Sequence, residues 1–226
     1  MNTLWEKMFL QIRRAPATWA LILVNAAMLV TTIAMGGFTT ATLLQMGGLV
    51  PKLVQDGDLW RLFTSMFLHG GALHFLMNMM GLYYLGAPLE RTMGSGKYAI
   101  FYLISGLGGG AAVTLLEEPY TLTIGASGSV YGLMAALLYI TFVRKNWFTP
   151  ASVRSIRTMI IVNFSITFLL PSISVWGHLG GFIVGFFLSL VLMPKVPMFI
   201  AKARDQEFRN ENMERNDESD DSLPES

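Results

Sequence analysis

The chain has 226 residues, 53% of them hydrophobic and 14% charged, with a mean hydropathy of +0.49 and a formal net charge of +1. This is far more apolar than an average soluble domain and points to a membrane protein. It has no cysteine, which excludes disulfides, thiolate nucleophiles and Cys-ligated metals.

The opening MNTLWEKMFLQIRRAPATW reads as a cytoplasmic segment over residues 1–17, followed by an apolar run that reaches about Met35 without a convincing cleavage site. That run is read as a retained span rather than a signal peptide. A bilayer core of ~30 Å needs roughly 20 apolar residues at ~1.5 Å rise each. Six stretches qualify in chain order: Thr18 to Met35, Phe63 to Leu85, Tyr98 to Leu116, Leu122 to Val143, Thr158 to Leu170 and Ser172 to Met193. The last two abut at Pro171 and share a tight turn. The connection Gly36 to Leu62 is too amphipathic to span and too long for a plain turn, so it is expected to be an interfacial loop with some helix of its own. The expected fold class is an all-α membrane protein, a six-helix bundle over residues 18–193. Residues 194–226 form a charged cytoplasmic tail. Nine of the fifteen acidic residues fall between Ala201 and Ser226, which marks that end as solvated and largely disordered.

Lys and Arg set the orientation. With the N-terminus inside, the inner segments hold Lys7, Arg13 and Arg14, then Arg91 and Lys97, then Arg144, Lys145, Arg154 and Arg157, with five more in the tail. The outer segments hold only Lys52 and Arg61. Both termini are therefore expected in the cytoplasm.

In this orientation spans two, four and six run inward from the external side, and each carries a polar residue early: His74, Ser127 and His178. Each lies roughly seven residues, or on the order of 10 Å, below its external loop. Intramembrane ionisable residues are costly and mark function by default. A lone serine in such a helix is more often a packing residue, and a lone histidine is as often interhelical glue; it is their convergence at one depth that argues for a site. His74 and Asn78 are i,i+4, as are Ser127 and Tyr131, while His178, Gly181 and Gly185 form an i, i+3, i+7 stripe. Gly181 with Gly185, and Gly128 with Gly132, are small-xxx-small tracks that allow close backbone approach. Facing one another, they would bring Ser127 within reach of His178.

Taken together, these residues resemble the rhomboid family of intramembrane serine proteases. The match runs from about Trp60 to Gly185: WR at Trp60 and Arg61, HxxxN at His74 to Asn78, GxSG at Gly125 to Gly128, then Tyr131, and HxxGxxxG at His178 to Gly185. The resemblance implies a six-helix fold in which Ser127 attacks a peptide bond and His178 acts as general base, then acid. It implies that His74 and Asn78 help hold the oxyanion, that Tyr131 packs on the His178 ring, and that Gly125 belongs to the turn entering the catalytic helix. His69 would have a structural role in the external loop.

Serine needs a base to become a nucleophile, and no carboxylate sits at the depth of His178 in any span; Glu117 and Glu118 lie in an external loop. The residues thus point to a dyad. The backbone N–H of Ser127, near a helix N-terminus, is an expected oxyanion donor. A water-accessible cavity open to the external face is expected, capped by the loop between spans five and six or by Gly36 to Leu62. Substrates would be single-pass transmembrane proteins entering sideways from the lipid; no cofactor, metal or nucleic acid is expected. The setting fits a bacterial plasma membrane. An α/β hydrolase elbow is rejected, since G-x-S-x-G needs glycine where Ser129 stands. An inactive relative that escorts membrane proteins would typically lack the serine or histidine. A transporter would need polar residues in the inner half as well, which is apolar.

Overall fold

The structure, a computed structural model, describes residues 11–201 and 203–207. Most of the expected N-terminal segment 1–17 and of the charged tail lies outside these residues. The described chain is all-helical. Helix α1 covers Pro16–Ala34, the short α2 and α3 cover Thr40–Gln45 and Pro51–Gln55, and α4 covers Arg61–Thr64. Next come α5 (Ala72–Gly81), a π-helical turn (Leu82–Gly86) and α6 (Ala87–Met93), which run on without a break. Further along the chain come α7 (Ser95–Leu116), α8 (Ser127–Val143), α9 (Pro150–Leu169) and α10 (Val175–Leu192).

Helices α1, α7 and α10 are long and apolar enough to cross a membrane. Helix α8 is apolar but 17 residues long, and α9 carries Arg154 and Arg157 in its first half. The π turn sits just ahead of Pro88, which has no N–H and whose ring would meet a carbonyl in a regular helix. Polarity along α1 is reversed relative to a soluble helix. Its buried residues are Thr18, Asn25 and Thr32, one stripe at seven-residue spacing, while Leu23, Val30 and Ile33 are 66%, 64% and 55% exposed. The same outward apolar face recurs at Leu73, Met77, Ile161, Phe168, Phe187 and Val191. Water would not tolerate that surface and lipid requires it, so this is an integral membrane protein.

The core is built where α7, α8 and α10 pack on one another. Helix α8 is the most enclosed: Ser129 to Leu137 are all buried, as are Tyr139 to Thr141. Helix α9 is the least enclosed of the long helices, burying only Ile160 and Thr167.

Two of the expected stretches are not helical along their whole length. The first part of the expected second span, Phe63 to Gly71, is not continuous helix. It holds the end of α4 and a 3-10 turn at Ser65–Phe67, and the long helix starts only at Ala72 because Gly70 and Gly71 interrupt the chain before it. The fourth expected span likewise begins as helix at Ser127 rather than Leu122, because Thr123 pairs in an antiparallel bridge with Leu49. Helix α9 contains the expected fifth stretch and extends ahead of it to Pro150, where Thr149 caps it by accepting from the Ser152 N–H.

Candidate active site

Ser127 is the first residue of α8, and the chain is steered into it by its neighbours. The Leu49 and Thr123 backbones exchange two hydrogen bonds of 3.0 and 2.8 Å, and the Gly125 N–H donates to the Ser65 carbonyl at 2.9 Å. Gly125 has φ +126°, and a Cβ there would stand 2.8 Å from His74 Nε2. Both the backbone conformation and the space exclude a side chain. The first-turn amides of α8 have no intrahelical acceptor, and no side chain caps the helix at Ala126. Ser127 itself is half-buried.

His178 is the fourth residue of α10. The Ser174 hydroxyl caps that helix, accepting from the Gly177 N–H at 3.0 Å and donating to Glu117 Oε2 at 3.0 Å. Glycines bring α10 against α8. A Cβ on Gly181 would meet the backbone of Gly128, and one on Gly185 would meet the backbone of Gly132. The two tracks therefore face each other, as their spacing implies. Helix α7 adds a third small surface that the sequence reading misses: a Cβ on Gly109 would lie 2.6 Å from the Gly177 carbonyl oxygen and 3.4 Å from Gly128 Cα. The run GLGGGAA from Gly106 to Ala112 is its visible signal.

His178 is 8% exposed, and its ring stacks on Tyr131 with centroids 3.9 Å apart and planes 16° apart. Its Nδ1 lies 2.9 Å from the Thr167 hydroxyl of α9. No hydrogen bond joins Ser127 to His178 among the described residues.

His74 is in the first turn of α5. Its Nδ1 accepts from the Gly70 N–H at 3.4 Å, and its Nε2 faces Gly125. A Cβ on Gly125 would also lie 3.7 Å from Ser127 Oγ, so His74 and Ser127 converge on one glycine. Asn78 is buried, and its Nδ2 donates back to the His74 carbonyl at 3.0 Å. His69 is fully buried beside this pair, with its ring edge-on to His74 at 5.1 Å and to Phe75 at 5.4 Å.

Trp60 and Arg61 fasten the connection after α1. Arg61 donates to the Leu44 and Gly48 carbonyls at 2.9 and 3.0 Å and to Asp58 at 2.9 Å, and its guanidinium lies 4.6 Å over the Trp60 ring. Thr167 and Asn163, which reach the His178 and Tyr131 side chains from α9, do not stand out in the sequence. Their i,i+4 spacing in an apolar stretch is the available signal.

The family model of the Rhomboid domain matches residues 56–195. Rhomboid protease GluP of Bacillus subtilis (strain 168) is 35% identical over 165 residues, which is 73% of this chain and 32% of that protein. RHOMBOID-like protein 4 of Arabidopsis thaliana is 36% identical over 159 residues, 70% of this chain and 40% of the relative. RHOMBOID-like protein 5 of the same plant is 36% identical over 162 residues, 70% of this chain and 52% of the relative. The chain thus spans about a third to a half of the length of these relatives. The matched region runs through every residue of the site from Trp60 to Gly185, and on that ground the chain belongs to the rhomboid family.

Proposed function

We propose that this protein is an intramembrane serine endopeptidase that cleaves transmembrane segments of membrane proteins near the external face, using Ser127 and His178 as a dyad. The observation that carries the reading is the seating of His178. The ring is stacked on Tyr131, held at Nδ1, and placed on a helix whose glycines contact the backbone of the serine helix. In this reading α1, the α5–α6 rod, α7, α8, α9 and α10 are the six spans. The connection with α2 and α3 lies at the external interface, and both termini face the cytoplasm of a bacterial plasma membrane.

His178 Nε2 takes the proton from Ser127 Oγ as the oxygen bonds to the scissile carbonyl carbon. The negative charge that moves onto the carbonyl oxygen is met by the Ser127 N–H, with His74 and the second Asn78 N–H as further donors. The C–N bond then breaks, and the leaving nitrogen takes the proton from His178. Water repeats the sequence on the acyl-enzyme and frees Ser127. Glycines and small side chains at this level let backbones meet, so the polar groups are enclosed by protein rather than lipid. Substrates are single-pass transmembrane proteins that reach the site from the lipid.

Cleavage of a transmembrane substrate by the purified protein in liposomes tests this. Ser127→Ala and His178→Ala should each lower turnover by at least about 10³-fold with the fold retained. Persistent cleavage by Ser127→Ala would sink the mechanism.

A further inference from the structure

We infer that Thr167 on α9 is a positioning residue that sets the tautomer of His178, in the place a carboxylate holds in a serine triad. The inference rests on the protease reading above and deepens it.

Four polar groups meet behind the His178 ring. Thr167 Oγ1 contacts His178 Nδ1 at 2.9 Å, the Asn163 carbonyl at 3.0 Å and the Tyr131 hydroxyl, and Tyr131 also reaches the Asn163 carbonyl at 2.9 Å. Thr167 is 1% exposed and Tyr131 is 5% exposed, so bulk water has little access to these groups. The carbonyl can only accept. With the imidazole proton on Nδ1, three protons serve these four contacts: those of Thr167, Tyr131 and Nδ1. With the proton on Nε2 only two remain, and two short oxygen or nitrogen contacts are left without a hydrogen between them. Buried polar contacts without a proton are destabilising. The count therefore favours Nδ1–H donating to Thr167, whose own hydroxyl donates to Asn163 on the preceding turn.

The consequence falls on the other ring nitrogen. A hydrogen bond at one imidazole nitrogen determines which nitrogen carries the proton. With Nδ1 protonated, Nε2 holds a lone pair and can accept the serine proton. The Thr167 oxygen also accepts from the imidazolium that forms, although as a neutral group it stabilises that charge less than a carboxylate does. Thr167 touches neither serine nor substrate and acts through His178.

Nitrogen NMR of histidine-labelled protein in micelles at mildly alkaline pH, with His178 assigned by its loss in His178→Gln, reads the tautomer directly. The wild type should show a protonated Nδ1 and an unprotonated Nε2. Thr167→Val, which removes the hydroxyl and keeps the shape, should lose that preference and lower kcat by about tenfold or more at unchanged KM. Thr167→Ser should restore both. A wild-type proton on Nε2, or a Thr167→Val protein with wild-type tautomer and kcat, overturns the inference. If Thr167→Val fails to fold, the wild-type spectrum and Thr167→Ser still decide. Wild type that cleaves nothing counts against the protease reading, while the spectrum decides the tautomer independently.

Discussion

Gly181→Ala tests the assembly of the site most directly. The added Cβ would lie 2.7 Å from the Gly128 carbonyl carbon and 2.9 Å from Gly128 Cα, and closer still to the carbonyl oxygen. These are backbone atoms, so no rotamer change relieves them. Ordinary contact begins near 3.4 Å, and α8 and α10 must part by on the order of 1 Å in a close-packed interior. Overpacking of this kind costs about 1–3 kcal/mol, which lowers Tm by roughly 2–12 °C for a chain of this size. His178 lies one turn before Gly181 and moves with α10. A displacement of ~1 Å at a reacting group costs about 10²-fold in rate. Thermal unfolding by tryptophan fluorescence, with cleavage of a transmembrane substrate on the same sample, reads both effects. Gly96→Ala is the control: nothing lies within 4 Å of a Cβ there, in the first turn of α7. It should be neutral or stabilising by up to about 1 kcal/mol. A Gly181→Ala protein with wild-type Tm and turnover, or equal damage from both variants, would refute the close-approach argument.

Glu90 is 1% exposed and accepts from the Ala17 and Thr18 N–H groups, the Thr18 hydroxyl and the Ser95 hydroxyl at 2.6–2.9 Å. It caps α1 from another helix, so Glu90→Ala should destabilise by about 3 kcal/mol, with Glu90→Gln intermediate; an unchanged unfolding temperature for Glu90→Ala would contradict this. Gly125→Ala should reduce labelling of Ser127 by a fluorophosphonate at least about tenfold, because strain of about 1–3 kcal/mol is added at φ +126° beside His74; wild-type labelling rates would count against the turn as the positioning device. Arg61→Lys loses the planar fork that reaches two carbonyls and Asp58 at once. It should cost about 1–2 kcal/mol and raise protease sensitivity between residues 36 and 62; unaltered digestion would show the fork to be dispensable.

The glycine tracks are legible in the sequence because small residues at four-residue spacing let backbones approach in an apolar helix, and the structure sets Gly128 and Gly132 against Gly181 and Gly185. Helix starts are less so. Hydropathy sees composition and not hydrogen bonding, so it carries the second span back to Phe63 and the fourth to Leu122. In the structure Gly70 and Gly71 break the first segment, and Thr123 is taken up in a backbone pair with Leu49. A partner far along the chain leaves no local trace in the sequence.

The same reason hides Thr167. Taken alone, α9 offers Asn163 donating to the Met159 carbonyl and Thr167 donating to the Asn163 carbonyl, both ordinary ways for polar side chains to satisfy themselves within an apolar helix. Among the described residues no carboxylate hydrogen-bonds His178, whose side-chain partner is the Thr167 hydroxyl. What changes the reading is the tertiary placement of Thr167 against Nδ1 of His178 and the hydroxyl of Tyr131. One hydroxyl that satisfies its own backbone is still able to accept two further hydrogen bonds. In a membrane, where a carboxylate would be costly to bury, a neutral acceptor already engaged by its own helix can orient a base without adding a charge to the bilayer interior.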